Sequence, residues 1–109
     1  MRIMLACAAG MSTSMLVEKM KIAARDRGEE HIIWAVPVEN IGNEIDKCDC
    51  ILLGPQVRLQ KKSIVSIAKG KPVEVIPPSD YGRQNGGAVL DFAKSLLDWK
   101  KEIIYVKNK

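Results

Sequence analysis

The sequence contains few of the residues from which disulfide scaffolds, histidine-based sites and nucleic-acid interfaces are built. Of its 109 residues, three are cysteine and one is histidine, and 5% are aromatic. Three cysteines cannot all pair within the chain, and their density is too low for a disulfide scaffold, so we expect a reducing, cytoplasmic location. No run approaches the ~20 apolar residues that span a membrane. The apolar run at the N-terminus is too short for a signal peptide, so we expect no direct membrane insertion.

The charge of the chain is positive but spread along its length. Lysine and arginine number 17 against 13 acidic residues, which gives a net charge of +4. No recognition motif accompanies this charge, so we expect no nucleic-acid partner. The length and a hydrophobic content of 47% predict one ordinary globular domain over residues 1–109. Periodicity does not decide the structure of the C-terminal tail, residues 102–109.

The most informative segment is Cys7 with the small and hydroxyl residues after it. An apolar strand over residues 2–6 would deliver the thiol to the start of this loop, and a helix follows. The residues whose backbone N–H groups can surround a tetrahedral oxyanion are Ala8, Ala9, Gly10, Met11, Ser12, Thr13 and Ser14. The pattern therefore predicts a cysteine nucleophile that meets an oxyanion. The alternative is a buried cysteine at a strand end, followed by an ordinary helix cap.

Strands and helices alternate along the rest of the chain. Apolar runs predict strands over residues 2–6, 32–36, 51–53 and 72–76, and helical spacing predicts helices over residues 13–26, 59–68 and 87–101, with a short helical connection over 39–47. This alternation predicts an α/β fold: a single three-layer domain with a four-stranded parallel open sheet and helices on both faces. Parallel strands end at one edge, where loops 7–14, 37–42, 54–58 and 77–87 should meet.

Other cysteine chemistries fit the sequence less well. A low-molecular-weight tyrosine phosphatase or arsenate reductase remains the alternative, but its arginine position holds Thr13, and no aspartate precedes a proline to act as general acid. Cys48 and Cys50 have the wrong spacing for a redox or zinc motif, and we expect Cys50 to be a core residue. His31 begins the second strand, at the opposite edge from Cys7, and we expect it at the surface. We expect no metal and no cofactor.

The motifs together resemble a known family. The residues that carry the resemblance are CAAGMSTS at 7–14 with Leu16, LGPQ at 53–56, KPVEVI at 71–76, Tyr81-Gly82 and Val89-Leu90. They resemble the enzyme IIB components of the bacterial phosphoenolpyruvate-dependent sugar phosphotransferase system, in the lactose/cellobiose/chitobiose class. The resemblance extends to about Lys101. Asn85-Gly86 stands where several relatives have Asp-Gly, and because both pairs suit a tight turn we expect unchanged chemistry.

The resemblance implies a phosphoryl carrier. In that family the loop cysteine accepts a phosphoryl group from a histidine of the IIA protein and passes it to a sugar held by the membrane IIC transporter. Cys7 would thus be the catalytic, phosphorylated residue of a protein-phosphocysteine–sugar phosphotransferase. Residues 8–14 would be its phosphate-binding loop (P-loop). The sugar would be a β-linked disaccharide such as cellobiose, chitobiose or lactose, reached only through the transporter.

Residues on the neighbouring loops complete the expected site. Gln56 and Tyr81 should flank Cys7, where they could shape the site or contact a partner. Met11, Met15 and Val57 are apolar and expected at the rim, where they would suit alternating, transient partners.

Overall fold

A four-stranded parallel sheet forms the centre of the molecule. The computed structural model describes residues 1–8 and 11–107, without the side chains of residues 11, 12 and 98–107. The strands are β1 (Arg2–Cys7), β2 (Ile32–Pro37), β3 (Cys50–Leu53) and β4 (Val73–Val75), in the spatial order β2-β1-β3-β4. All neighbouring pairs are parallel. The predicted fold class is confirmed, and β1 occupies a central position.

Helices cover both faces of this sheet. They are α1 (Met11–Asp26), α2 (Ile41–Glu44), α3 (Lys61–Ile67), α4 (Pro78–Gly82) and α5 (Gly86–Lys107), with 3₁₀ segments at Val38–Asn40, Ile45–Lys47 and Pro55–Gln60. The two long helices, α1 and α5, begin two residues and one residue before their predicted starts. The helix α5 also continues through most of the predicted tail, while Asn108 and Lys109 lie outside the described residues.

Side-chain alternation along β1 explains the two layers. Ile3 and Leu5 are fully buried against α1 and α5, whereas Met4 and Ala6 are fully buried on the other face. That other face is covered by α2, α3 and their flanking 3₁₀ segments through residues such as Ile41. Because both faces of a parallel sheet are covered, its strands are continuously apolar rather than alternating in polarity.

The predicted helix over residues 59–68 is shorter than expected and begins differently. A 3₁₀ segment, Pro55–Gln60, precedes α3. Within it Val57 has non-helical dihedral angles (φ −113°, ψ 20°). Val57 is also 2% exposed and packs in the core, so the expectation that it forms part of an apolar rim is wrong. The kink turns this side chain inward, and the helical register starts only after it.

The contact between α1 and α5 depends on a glycine. A Cβ atom at Gly86 would lie 2.4 Å from the carbonyl carbon of Lys19 and 2.6 Å from the amide nitrogen of Met20. The preceding residue, Asn85, accepts a hydrogen bond at Oδ1 from the amide of Ala88 (3.1 Å), so it acts as an N-cap of α5. Asn85-Gly86 therefore starts a helix and allows two helices to touch, rather than forming an isolated tight turn.

Candidate active site

Cys7 is the last residue of β1, at the edge of the sheet where all four strands end. Its register partner on β2 is Pro37, and the neighbouring residue Ala6 accepts a hydrogen bond from the amide of Gly54 (2.8 Å) just after β3. Cys7 is 2% exposed. The chain thus places a cysteine between two strand ends, directly before the turn that leads into α1.

Gly54 lets the loop after β3 approach Cys7 closely. A Cβ atom at Gly54 would lie 3.2 Å from Cys7 Cβ and 2.8 Å from Gln56 Oε1. Gln56 is exposed, and because both atoms lie close to this one point, its Oε1 is near Cys7. The role of Gln56 at the site stays a prediction. The importance of Gly54 at this point was not predicted, although the motif LGPQ contains it.

The first turn of α1 is linked to α4 by a buried hydrogen bond. Thr13 is fully buried, and its Oγ1 lies 3.1 Å from the hydroxyl oxygen of Tyr81. Tyr81 is 7% exposed and belongs to the core between the sheet and the two long helices. Sequence reasoning named both residues but not their contact. Nothing local in the sequence indicates a bond between residues separated by 68 positions.

The remaining loop residues are placed in part. Ala8 and Ser14 are exposed. Ala9, Gly10 and the side chains of Met11 and Ser12 lie outside the described residues. The backbone of Met11–Thr13 forms the first turn of α1, whose N–H groups have no carbonyl partner within a helix. Such a turn can donate hydrogen bonds to an anion and carries the positive end of the helix dipole.

Comparison with known proteins decides the family. The family model of the lactose- and cellobiose-specific IIB subunit of the PTS system, the phosphotransferase system, matches residues 2–92. The chain belongs to this family. IIB components are phosphotransferases of sugar transport, and they work with IIA and IIC proteins.

Individual relatives of this IIB chain are similar over nearly their whole length. The chain is 44% identical to the cellobiose-specific EIIB component of Lactococcus lactis subsp. lactis over 103 residues, which cover 88% of this chain and 95% of that one. It is 43% identical to the galactose-specific EIIB component of Lactococcus lactis subsp. cremoris, with the same coverage. The oligo-beta-mannoside-specific EIIB component of Bacillus subtilis is 41% identical over 98 residues, also with coverages of 88% and 95%.

Solved IIB structures share the fold. A cellobiose-specific IIB component from Borrelia burgdorferi has a TM-score of 0.76 and 39% identity, covering 90% of this chain and 92% of that one. The lactose-specific IIB domain from Streptococcus pneumoniae has a TM-score of 0.79 at 17% identity, covering 87% and 95%. The second match shows that the architecture persists when most of the residues differ.

The other two cysteines of the IIB chain lie at the opposite edge of the sheet and are poor nucleophiles. Cys50 starts β3 and is fully buried in the core, as predicted; burial raises the pKa of its thiol to about 12. Burial also raises the pKa of Cys48, which donates a hydrogen bond to the carbonyl of Ile45 (3.4 Å). Because the thiolate is the reactive form, the raised pKa values make both thiols weaker nucleophiles near neutral pH.

His31 also lies at the edge opposite Cys7. It directly precedes β2, and its Nε2 is 2.8 Å from Glu29 Oε1, which Lys94 also contacts (3.0 Å). These hydrogen bonds, first from His31 and then from Lys94, lower the pKa of Glu29 to about 2. The three side chains tie the end of α1 to α5 and take no part in the Cys7 site.

The described part of the chain offers neither a metal-binding cluster nor a membrane-spanning helix. Within residues 1–8 and 11–107, no cluster of three or more His, Cys, Asp or Glu side chains could hold a metal ion. Over the same described residues, no helix has both the length and the apolarity to cross a bilayer.

Exposed apolar side chains lie on segments that follow the strand ends. Met15, in α1, is 57% exposed, as expected for a rim residue, and Leu59, in the 3₁₀ segment after β3, is 89% exposed. Met15 also lines a surface depression of about 250 Å³ together with Tyr81, Gly82 and Gln84. Sequence reasoning did not predict that Leu59 is an exposed apolar residue near this edge, although it lies only three residues after the LGPQ motif.

Proposed function

We propose that this IIB protein is a phosphoryl carrier whose Cys7 accepts a phosphoryl group from a histidine of the IIA protein and transfers it to a sugar bound by the membrane IIC transporter. The observation that carries the proposal is the position of Cys7. It ends the central strand at the edge where ligands bind in open α/β sheets, and it directly precedes the turn into α1. Cys48 and Cys50 lie at the opposite edge of the sheet, away from this turn, which supports Cys7 as the nucleophile.

The chemistry consists of two in-line displacements. In the first, the Cys7 thiolate attacks phosphorus, an S–P bond forms, and the N–P bond to the donor histidine breaks. In the second, a sugar hydroxyl oxygen attacks the same phosphorus, an O–P bond forms, and the S–P bond breaks. The hydroxyl proton leaves to solvent or to a base of the transporter, and Cys7 returns to its thiolate. Both steps demand positioning and charge stabilisation more than covalent assistance.

The segment after Cys7 supplies that stabilisation in our proposal. The backbone N–H groups of residues 8–14 form the phosphate-binding loop, and the first turn of α1 directs its dipole at the phosphoryl oxygens. The hydroxyl groups of Ser12, Thr13 and Ser14 are additional donors. Gln56 and Tyr81 shape the site from the loops after β3 and β4. Transfer requires no cofactor.

Donor and acceptor must both reach the same sulfur, so they use the same edge in turn. Exposed Met15 and Leu59 give this edge an adaptable apolar surface, which suits two alternating partners. The relatives named for cellobiose and oligo-beta-mannoside support a β-linked disaccharide such as cellobiose, chitobiose or lactose, whereas the relative named for galactose does not bear on the linkage. The sugar itself would be recognised by IIC, and this protein would work in the cytoplasm.

The proposal is tested by phosphorylation of the intact protein. Wild type, Cys7→Ser and Cys48→Ser are incubated with phosphoenolpyruvate, the general phosphotransferase proteins and IIA, and their masses are measured. We expect one added phosphoryl group on wild type and on Cys48→Ser, and none on Cys7→Ser. Adding membranes that contain IIC and a β-linked disaccharide should then remove the group from the protein and yield sugar phosphate. A phosphoryl group that persists in Cys7→Ser would overturn the proposal.

A further inference from the structure

We propose that Tyr81 is a positioning residue that acts through Thr13: its hydroxyl donates to Thr13 Oγ1, which turns the Thr13 proton toward the phosphoryl group on Cys7. This inference rests on the proposed function, because it concerns the phosphorylated form of Cys7. It adds to the proposed donors a direction of hydrogen bonding and a role for the Tyr81 hydroxyl.

The burial of both hydroxyls is the first argument. Thr13 is fully buried and Tyr81 is 7% exposed, so water has little access to either side chain. A buried hydroxyl needs a partner inside the protein, and these two are partners of one another at 3.1 Å. Each carries one proton and can both donate and accept, so two directions of the bond are possible in the unphosphorylated protein.

A phosphoryl group selects one of these directions. Its oxygens are anionic and only accept hydrogen bonds, so a Thr13 hydroxyl that contacts them must donate. Thr13 then accepts from Tyr81, which gives the chain Tyr81 O–H to Thr13 O–H to phosphoryl oxygen. The hydrogen bond from Thr13 to the phosphoryl oxygen is charge-assisted, and such bonds are about twice as strong as neutral ones. The hydrogen bond from Tyr81 polarises the Thr13 hydroxyl and fixes its rotation. The Thr13 O–H is therefore oriented before the phosphoryl group arrives.

The backbone around Tyr81 holds its hydroxyl in place. The Tyr81 amide donates to the carbonyl of Pro77 (3.0 Å), and its carbonyl accepts from both the amide and the side-chain Nε2 of Gln84 (3.1 Å each). Tyr81 follows β4 while Thr13 follows β1, and β3 lies between these strands. The hydrogen bond therefore joins α1 and α4, the helices that follow two non-adjacent strands. The aromatic ring keeps its core packing even without the hydroxyl.

The test is a double-mutant cycle on the intact protein. Tyr81→Phe removes only the hydroxyl that donates to Thr13, Thr13→Val removes the hydroxyl that donates to the phosphoryl group, and Thr13→Ser retains a hydroxyl. For each variant we measure the rate of phosphoryl transfer from IIA, the ³¹P chemical shift of the phosphocysteine and the urea midpoint of unfolding. The matched control is Tyr105→Phe, which removes the hydroxyl of the other tyrosine in the chain.

The positioning role predicts a specific pattern. Tyr81→Phe should slow transfer about 10-fold, the loss of one well-placed hydrogen bond, and shift the ³¹P resonance. Added to Thr13→Ser, the Tyr81→Phe substitution should slow transfer by the same factor. Added to Thr13→Val, it should cause no further slowing, because the hydroxyl that accepts the bond from Tyr81 is then absent. Tyr105→Phe should match wild type.

Two results would overturn the relay. One is an unchanged ³¹P shift in Tyr81→Phe while wild type forms phosphocysteine, and the other is an additive rate loss in the double variant with Thr13→Val. If Tyr81→Phe folds poorly, the comparison of Thr13→Ser with Thr13→Val still tests the relay. Equal transfer rates and equal ³¹P shifts in these two variants would show that the Thr13 hydroxyl plays no part, which would overturn the relay. If wild type forms no phosphocysteine, the proposed function fails and the relay with it.

Discussion

Replacing Gly86 with alanine tests the packing that sets the position of the two long helices. Gly86 is the first residue of α5, and a Cβ atom there would lie 2.4 Å from the carbonyl carbon of Lys19, 2.5 Å from its oxygen and 2.6 Å from the amide nitrogen of Met20. All three atoms belong to the backbone of α1, so no side-chain rotation can relieve the overlap. The helices must separate.

The size of the separation gives the cost. Ordinary carbon contacts begin near 3.4 Å, so the helices must move apart by about 1 Å at this point. A gap of that size forfeits roughly a quarter to a half of the dispersion energy of the contacts it opens. Overpacked core sites cost about 1–3 kcal/mol, and a backbone clash belongs at the upper end. The gain in helix propensity from glycine to alanine, at most about 1 kcal/mol, offsets only part of this. We therefore expect Gly86→Ala to lower the free energy of unfolding by ~2 kcal/mol.

The assay is urea unfolding followed by circular dichroism, with Gly87→Ala as the matched control. The urea dependence of small proteins is about 1–3 kcal/mol per molar, so Gly86→Ala should lower the midpoint by about 1 M. A Cβ atom at Gly87 would meet chiefly Arg27 Nη2 at 3.0 Å, the end of a flexible side chain that can move away. The free energy of unfolding of Gly87→Ala should therefore stay within about 0.5 kcal/mol of the wild-type value. Equal stability of the two variants would refute the packing argument.

Three further predictions concern the site, the far edge and the start of α5. Gly54→Ala should slow phosphorylation roughly 10-fold, because the new methyl group presses on the end of the strand that carries Cys7. The backbone at Gly54 (φ −60°, ψ 147°) suits alanine, so strain does not explain the loss. The control Gly42→Ala, whose methyl group meets open space, should retain the wild-type rate. Glu29→Gln should reduce the free energy of unfolding at pH 7, as measured by a denaturation series at several pH values. Its difference from wild type should shrink as the pH falls from about 4.5 towards 2, because a lowered carboxyl pKa stabilises the fold only while the group is ionised. Asn85→Ala should cost about 1 kcal/mol in thermal unfolding by removing a helix cap, and Asn85→Asp should not.

The elements of this fold could be predicted from the sequence because their signals are local. Apolar runs ended by glycine or proline mark the strands, as where Leu53 is followed by Gly54-Pro55. Helix ends carry similar signals, and Gly28, just beyond α1, has the positive φ (69°) expected of a C-terminal glycine. Alternation of strands and helices then determines a parallel sheet, and a parallel sheet brings its C-terminal strand ends to one edge.

Errors arose where tertiary packing overrides local preference. The sequence around Val57 looks like the lead-in to a helix, but burial of that side chain imposes a kink and a 3₁₀ segment. Asn85-Gly86 suits a turn, yet the need for α1 and α5 to touch makes the glycine the first residue of a helix. Neither outcome can be deduced without knowing which element lies opposite.

The site was predictable as a set of residues but not as a geometry. Cys7 and its loop could be named because a strand, a cysteine and a small-residue loop follow one another in the sequence. The hydrogen bond between Thr13 and Tyr81 depends on how α1 and α4, the helices after β1 and β4, meet across β3. Sequence spacing carries no information on that distance.

The most direct test of the central claim is the mass of the protein after phosphorylation by IIA, with the modified residue located by peptide fragmentation. If Cys7 is the phosphoryl carrier, wild type will carry a single phosphoryl group on Cys7, which is absent from Cys7→Ser and is discharged when IIC membranes and sugar are added. A phosphoryl group on Cys48, on Cys50 or on His31, or a group that sugar and IIC cannot remove, would contradict it.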